Sequence, residues 1–289
     1  MFHNRFKLVA SAVMLATMST AALAEDVLAK AAEPTPEWTF PNSVSLVSDY
    51  IFRGQSQSWG QPSLQAMVEA AHQSGFYVGL AAATVSDKWL PGANVEVDYF
   101  TGFRNTLPGA ASVIGYDVGA IYYTYPGANW NDSAFAGTNS NKLDTAEAYV
   151  GLSYKWLSFK MGTTLTEYFG WNPNNSGVGL GFNGDLSAGV TGDTKGSSFY
   201  EFNGLYEFAP SWSVNGQLGR QQIRNSTGLD LTYYKVGVTK SFTNGWLVGA
   251  SYSATNEPDA YKDFVSLANA SSKSDIAKDK LFFSVSKSF

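Results

Sequence analysis

The last ten residues, 280–289, constrain the fold more than any other stretch of this chain. They read Lys-Leu-Phe-Phe-Ser-Val-Ser-Lys-Ser-Phe. Because alternate side chains of a strand point to opposite faces, one apolar face holds Leu281, Phe283, Val285 and Phe289. A final strand that ends on an aromatic residue is expected in a closed barrel, where it pairs with the first strand and removes both edges. The alternative is the last strand of a soluble β-sandwich.

The same stretch resembles the C-terminal assembly signal of bacterial outer-membrane barrels. That signal ends in phenylalanine, with apolar residues at alternate positions before it. Lys287 departs from the pattern, because an apolar residue is usual at that place. The resemblance implies that Leu281, Phe283, Val285 and Phe289 serve barrel closure and recognition by the barrel-assembly machinery.

The N-terminus has the parts of a secretory signal peptide. Arg5 and Lys7 form a basic start, an apolar run covers 8–18, and Ala22-Leu23-Ala24 is a small-residue cleavage site. The apolar run is too short for a membrane-spanning helix, which needs about 20 residues. We expect a cleaved signal peptide at 1–24, a periplasmic leader at 25–42 and a transmembrane β-barrel at 43–289, located in the bacterial outer membrane.

Composition excludes some partners and favours others. The chain has 19 basic and 24 acidic residues, and removal of 1–24 leaves 17 basic residues and a net charge of −7. That balance argues against nucleic acid, which requires clustered Lys and Arg. There are no cysteines, 16 tyrosines and 8 tryptophans. Tyr and Trp suit a membrane–water boundary, so outer-membrane lipid is the expected partner, with an aromatic sandwich core as the alternative.

Period-two alternation predicts twelve antiparallel strands. Their predicted ranges are 43–53, 63–71, 76–84, 94–104, 111–123, 144–154, 157–168, 197–208, 212–223, 230–242, 246–254 and 280–289. The connections after even strands are short, and those after odd strands are longer. Short periplasmic turns with long external loops are the usual asymmetry of an outer-membrane barrel. The predicted fold class is therefore an all-β transmembrane antiparallel barrel, with ten or fourteen strands as alternatives.

The polar faces of these strands predict a narrow lumen. They combine Gly and Ser with a few charges of both signs, whereas a soluble surface would carry more Lys and Glu. Buried charges must pair or face water. The predicted lumen-facing charges, seven acidic and four basic, are Asp49, Arg53, Glu96, Asp98, Arg104, Asp117, Glu147, Lys160, Glu201, Glu207 and Lys235. The acidic excess favours cations modestly. For each residue alone, pairing that only stiffens the barrel is the alternative.

One stretch carries a family resemblance. Val-Ser-Asp-Tyr-Ile-Phe-Arg-Gly-Gln-Ser-Gln at 47–57 and Gly-Gln-Pro-Ser-Leu-Gln at 60–65 resemble the opening of the TorF-family porins. The resemblance implies an outer-membrane β-barrel with a pore function and supplies no substrate. Within the motif, Arg53 is a candidate for a structural or lumenal role, with an ordinary strand-end residue as the alternative.

The chemistry of an enzyme is not evident in this sequence. Outer-membrane hydrolases use His with Ser or Asp near the outer rim. His3 leaves with the signal, and His72 falls in a predicted periplasmic turn. No Cys/His metal cluster, P-loop or dinucleotide motif is present, so we expect no catalytic site, cofactor or metal. The Gly/Asn/Asp-rich segment 172–193 could hold calcium through oxygen ligands, with a plain loop as the alternative.

These observations predict a narrow porin. A barrel of twelve strands lies between eight-stranded barrels filled by side chains and sixteen-stranded barrels with a broad channel. We therefore expect passive diffusion of small solutes with a mild preference for cations, narrowed by an inward loop at 169–196. The alternative is a non-conducting adhesin or scaffold that acts through its external loops. The oligomeric state is left open.

Overall fold

The computed structural model describes residues 36–109, 113–134, 142–179 and 186–289. The predicted signal peptide and residues 25–35 of the predicted leader lie outside the described residues. Twelve long strands form one sheet. They are β1 (Asn42–Val47), β2 (Ser63–His72), β3 (Phe76–Thr84), β4 (Val95–Thr106), β5 (Ile114–Thr124), β6 (Thr145–Tyr154), β7 (Leu157–Thr164), β8 (Ser198–Ala209), β9 (Trp212–Gln222), β10 (Leu231–Ser241), β11 (Trp246–Thr255) and β12 (Lys280–Ser288).

The sheet closes on itself. Each strand pairs antiparallel with its neighbours in the sequence, and β12 pairs with β1, from Ser284 opposite Val47 to Ser288 opposite Ser43. Beyond this seam, the Phe289 N–H donates to the Asn42 carbonyl at 3.1 Å. The twelve-stranded antiparallel barrel predicted from the alternation is confirmed, and closure gives each of the twelve long strands a neighbour on both sides.

The connections differ at the two ends of the barrel. At one end they are short and cover 73–75, 107–113, 155–156, 210–211 and 242–245. At the other end they are longer and cover 48–62, 85–94, 125–144, 165–197, 223–230 and 256–279. We call these the short-turn end and the long-loop end. This is the predicted asymmetry of an outer-membrane barrel.

The outer face of the wall is apolar and exposed. Leu46, Val118, Phe202 and Val236 are each more than half exposed, although such side chains normally avoid water. Exposed tyrosines and tryptophans lie near both ends of the strands, at Tyr154, Trp156, Tyr206, Trp212 and Trp246 on the short-turn side and at Tyr122, Tyr234 and Tyr252 on the long-loop side. An apolar band between aromatic girdles is the lipid-facing surface of a transmembrane barrel.

No helix among the described residues is long and apolar enough to cross a membrane.

The prediction of the first strand is wrong in its length. The predicted strand 43–53 ends at Val47, and the chain then turns inward and forms a separate hairpin. The alternation misled because the hairpin is extended as well, so the period of two continues across the break. In addition, Trp38 and Thr39, within the predicted leader, pair antiparallel with His72 and Ala71 of β2.

Candidate functional site in the barrel lumen

A hairpin from the first long connection crosses the lumen. Ile51–Phe52 pairs with Gln55–Ser56, and Arg53 and Gly54 form the turn. Both turn residues have positive φ, 46° and 82°, as a two-residue primed turn requires. A bulky residue such as Arg53 rarely adopts this conformation, and strain of this kind persists only where the surroundings hold it. The contacts of the Arg53 side chain stabilise this strained conformation.

Arg53 joins the hairpin to the opposite wall. Its guanidinium donates two hydrogen bonds to the Glu147 carboxylate of β6, at 2.8 and 2.7 Å, and one to Gln221 of β9 at 2.7 Å. The guanidinium also lies 3.8 Å from the centre of the Phe199 ring on β8. The side chains of Arg53 and Glu147 are only 3% and 1% exposed. A bidentate Arg–carboxylate pair of this kind fixes both position and orientation.

Gly54 packs the tip of the hairpin against β10 and β11. A Cβ atom at Gly54 would lie 2.6 Å from Thr255 and 2.8 Å from Tyr233, which real contacts do not permit. Glycine is therefore required here for close approach as well as for its φ. The hairpin is wedged between walls rather than suspended in an open lumen.

The base of the hairpin is anchored by Asp49. Its Oδ1 accepts from the hydroxyls of Ser56 and Ser58 at 2.6 and 2.9 Å, and its Oδ2 accepts from Lys280 of β12 at 3.0 Å. Gln57 accepts from the indole of Trp89 at 2.8 Å. The stretch 47–57 thus encodes one inward hairpin with its turn, its base and its contacts to the wall.

A carboxylate pair lies on β4 beside the hairpin. Glu96 and Asp98 are two residues apart, so they share the inward face, and both are buried. Glu96 accepts from the hydroxyls of Tyr50 and Tyr125 at 2.7 and 2.5 Å. Within the part of the chain that the structure describes, neither carboxylate oxygen of Asp98 has a hydrogen-bond partner.

The long connections build an apolar core above this polar layer. All six contribute to it, with Phe52, Trp89, Trp130, Phe169, Ile223 and Phe264 as examples. A cavity of about 20 Å³ lies among Gln55, Gln57 and the aromatic side chains, room for about one water molecule. The predicted inward loop at 169–196 contributes Phe169 and Trp171, but the hairpin at 51–56 is the segment that reaches the opposite wall.

The short-turn half of the lumen holds a second polar network. Arg104 pairs with Glu69 and lies 4.2 Å from the centre of the Tyr77 ring. The Tyr77 hydroxyl donates to Asp117 at 2.6 Å and lies 2.5 Å from that of Tyr149. The Lys160 ammonium lies 3.7 Å from the centre of the Tyr149 ring.

Inward aromatic rings lie flat against glycines of the neighbouring strand. Tyr77 is paired directly with Gly102, and a Cβ there would lie 2.4 Å from its hydroxyl. Four further pairs share this arrangement: Phe100 with Gly79, Tyr149 with Gly119, Phe199 with Gly162, and Tyr233 with Gly219. The glycines let the rings lie along the wall instead of across the lumen.

The remaining predicted lumenal charges also lie on the inner face. Glu201 accepts from the Tyr233 hydroxyl at 2.7 Å. Lys235 is half-buried opposite Gln217 and Ser253. Glu207 lies near the short-turn end, where it accepts from the Ser211 N–H at 2.9 Å. Asp49 and Arg53 lie in the first connection rather than on a strand.

Sequence reasoning missed several residues of these networks. Glu69 lies on β2, whose alternation is weak, and Lys280 opens the last strand. Gln221 and Tyr50 pair with Arg53 and Glu96 across separations of 168 and 46 residues. Glu69 could have been found as a lumenal charge, because it is a carboxylate in a strand made mainly of small and apolar residues. No local signal identifies the distant partners.

The closing strand has its apolar face outward. Leu281 is 63% exposed and Phe289 73% exposed, and Phe283 and Val285 are also exposed. Lys287, at the short-turn end, lies 5.4 Å from the centre of the Phe289 ring. The Lys287 ammonium also donates to the Asn244 carbonyl in the short turn, so its polar tip lies at the rim.

Within 36–109, 113–134, 142–179 and 186–289, no group of three or more His, Cys, Asp or Glu residues is placed to hold a metal ion. The segment 172–193 considered for calcium includes 180–185, which lie outside the described residues. His72 lies at the short-turn end and contacts Ser74 and Glu37.

Comparison with solved structures finds weak similarity to outer-membrane channels. The KdgM porin in complex with disordered oligogalacturonate is 8% identical, with a TM-score of 0.47 over 87% of this chain and 99% of that one. The NanC porin is 10% identical, with a TM-score of 0.45 over 87% and 99%. An outer-membrane channel from Pseudomonas putida F1, COG4313, is 13% identical, with a TM-score of 0.41 over 91% and 100%.

These likenesses are too distant to support the barrel, which rests on the strand pairing above. No curated protein matches the sequence. Residues 31–289 match the Gcw_chp family, described as bacterial proteins of unknown function, and the chain belongs to that family.

Proposed function

We propose that this protein is a narrow outer-membrane channel for small solutes, of the kind that the resemblance to TorF-family porins implies. The observation that supports it most is the distribution of polarity. The wall is apolar outside, whereas its inner face holds charged and hydrogen-bonding side chains at every level from Glu147 to Glu207. A channel for small solutes requires a polar lining of this kind, and pairing that only stiffens the barrel remains the alternative.

The hairpin at 51–56 is the constriction of the proposed channel. It crosses the lumen between β1 and the wall near β6, β8 and β9, where Arg53 binds Glu147. Inward-folded loops of this kind narrow a pore and select among solutes by size and charge. The proposed open state requires movement of the hairpin and of the apolar core above it.

The acidic residues favour cations in this proposal. Near the constriction Arg53 neutralises Glu147, while Glu96 and Asp98 add two carboxylates on the same face of β4. Charged rings on a pore wall attract counter-ions and repel ions of the same sign. We therefore expect a mild cation preference set mainly by Glu96 and Asp98.

Planar-bilayer recording on the purified protein in a salt gradient tests the proposal. Discrete conductance steps with a cation-directed reversal potential are expected. The double variant Glu96→Gln, Asp98→Asn should shift the reversal potential toward zero, while the control Asp193→Asn, Asp259→Asn, in exposed loop positions, should not. Liposome swelling with a panel of small metabolites would then define the solute class.

The second candidate is a non-conducting barrel that acts as an adhesin or scaffold. The packing of all six long connections into one core favours it, because a rigid external surface suits binding. Absence of conductance steps over many insertions, in both the wild type and a variant lacking 51–56, would support this candidate and contradict the channel.

Export and partners are part of the same proposal. Cleavage after Ala24, insertion into outer-membrane lipid and passage through the barrel-assembly machinery are proposed from the sequence. N-terminal sequencing of protein from the outer-membrane fraction should begin at Glu25. Recovery of the mature chain as a freely soluble periplasmic protein would contradict the location.

A further inference from the structure

Asp98 is the least compensated charge in the described lumen. Its exposure is 0%, and neither carboxylate oxygen accepts a hydrogen bond from any described residue. A buried ionised carboxylate without partners is costly enough that it must gain a counter-charge or a proton. Every other predicted acidic residue near the hairpin is hydrogen-bonded, namely Asp49, Glu96, Glu147 and Glu201.

The surroundings of Asp98 are acidic. Glu96 and Glu147 both lie close enough to interact with it electrostatically. The nearby guanidinium is that of Arg53, which donates to Glu147 and Gln221. Arg53 thus compensates Glu147, whereas Glu96 is held by tyrosine hydroxyls and Asp98 accepts no hydrogen bond from the described residues.

The strand neighbours of Asp98 combine small side chains with a phenol oxygen. The cross-strand partners of Asp98 and Glu96 on β3 are Ala81 and Ala83, whose side chains are small. On the other side, Asp98 is paired with Tyr123 of β5. Carboxylate and phenol oxygens are the hard ligands that alkali and alkaline-earth cations take.

We propose that Asp98 and Glu96 hold one small monovalent cation, Na⁺ or K⁺, inside the barrel. A divalent ion with dedicated protein ligands is disfavoured because the described residues form no cluster of three carboxylates around one point. The site deepens the proposed channel, since it would be the first binding position for a permeating cation. Occupancy of the site does not depend on conduction and can be measured separately.

Thermal unfolding of the detergent-purified barrel tests the site. The midpoint is measured in N-methyl-D-glucamine chloride and then in NaCl, KCl or CaCl₂ at matched ionic strength. The wild-type midpoint should rise saturably with Na⁺ or K⁺, because a ligand that binds only the folded state stabilises it. Asp98→Asn should unfold at a higher midpoint than the wild type in glucamine and should not respond to Na⁺ or K⁺.

Asp117→Asn is the matched control. It also removes a lumenal carboxylate, but one that accepts from Tyr77, so its response to Na⁺ should match that of the wild type. As a measurement that needs no variant, the ²³Na line width in the presence of wild-type protein should be broadened, and added K⁺ should reverse the broadening.

Three outcomes overturn the site. A midpoint that rises as the pH falls but ignores Na⁺ and K⁺ would show that Asp98 holds a proton. Stabilisation by Ca²⁺ alone would show a divalent site. An Asp117→Asn variant that loses the response would place the cation elsewhere. Specific binding of Na⁺ or K⁺ without conductance would support the cation site and contradict the proposed channel. Conductance without specific cation binding would support the channel and contradict the site.

Discussion

The two halves of the lumen use the same residue types in different surroundings. In the long-loop half, Arg53 and Glu147 are almost fully buried under an apolar core, with side-chain exposures of 3% and 1%. In the short-turn half, Arg104 and Glu69 form the matching pair with exposures of 18% and 6%, and Asp117 and Lys160 are half-buried.

The difference shows what each pair can contribute. A pair exposed to solvent is worth little, about 0–1 kcal/mol. Breaking a fully buried pair by removing one partner costs about 3–5 kcal/mol, because an uncompensated charge remains. The Arg53–Glu147 pair therefore controls whether the hairpin stays docked, while the Arg104–Glu69 pair tunes the charge of an already formed wall.

The largest effect is expected from Phe289→Asp, which should prevent assembly of the barrel and therefore formation of both halves of the lumen. Phe289 is exposed on the outer face and its N–H joins the seam between β1 and β12. Most of the barrel should fail to assemble, as measured by the heat-modifiable band on unboiled gels. Ser288→Asp, on the inner face, should assemble far better. Equal assembly of the two variants would refute the role of Phe289.

The next effect compares the two arginines. Arg53→Ala should destabilise the docked hairpin by about 3–5 kcal/mol and increase both the conductance and proteolysis within 48–62. Arg104→Ala should cost less, about 1–3 kcal/mol, because Arg104 is 18% exposed and its removal lets water reach Glu69. Mass spectrometry of limited digests locates the cleavage sites. If both variants are equally protected, the two halves are not energetically distinct.

A third, smaller effect separates a clash from backbone strain. Gly54→Ala introduces a Cβ against Thr255 and Tyr233, whereas Gly60→Ala, at a similar φ of +74°, meets nothing within 4 Å. Both variants place alanine in a left-handed backbone conformation, which costs about 1–2 kcal/mol of stability. Only Gly54→Ala should also displace the hairpin and expose it to protease. Equal digestion of the two would show that the tip is not wedged.

The most local effect concerns single hydroxyls. Tyr233→Phe removes the donor to Glu201, which is buried at 2% exposure, while Tyr77→Phe removes the donor to the half-buried Asp117. Hydrogen bonds to charged groups contribute about 1.5–3 kcal/mol. The loss of unfolding free energy should lie at the upper end of this range for Tyr233→Phe and at or below its lower end for Tyr77→Phe. Urea unfolding in micelles measures both losses. The reverse order would contradict the difference in burial.

The wall could be predicted from the sequence because its signals are local. Alternation of large apolar with small or polar residues marks each strand and its two faces, and turn residues such as Asn244-Gly245 mark the short end. The order of the strands followed from simple antiparallel adjacency. The first strand was misjudged in length, since its alternation runs on into the hairpin at 51–56. The seventh strand, predicted to extend to residue 168, ends at Thr164.

The contents of the lumen could not be predicted in the same way. Arg53 and Glu147 are 94 residues apart, and nothing in either neighbourhood indicates the other. The long connections show no regular alternation of apolar and polar residues. Their shared core around Trp89 and Phe169 therefore could not be predicted from the sequence. The alternation predicted most of the charged residues that lie on the inner faces of the strands. It did not predict which of them pair, because pairing depends on how the closed wall brings distant strands together.

The bond between Asp49 and Lys280 has a consequence for the order of folding. It spans 231 residues, and contacts of such separation form only after the intervening chain has been organised. Lys280 begins β12, the strand that pairs with β1 and closes the ring, so the base of the hairpin gains its counter-ion when the ring is complete. Until then Asp49 is held by the Ser56 and Ser58 hydroxyls alone, so the step that closes the wall also neutralises the base of the hairpin.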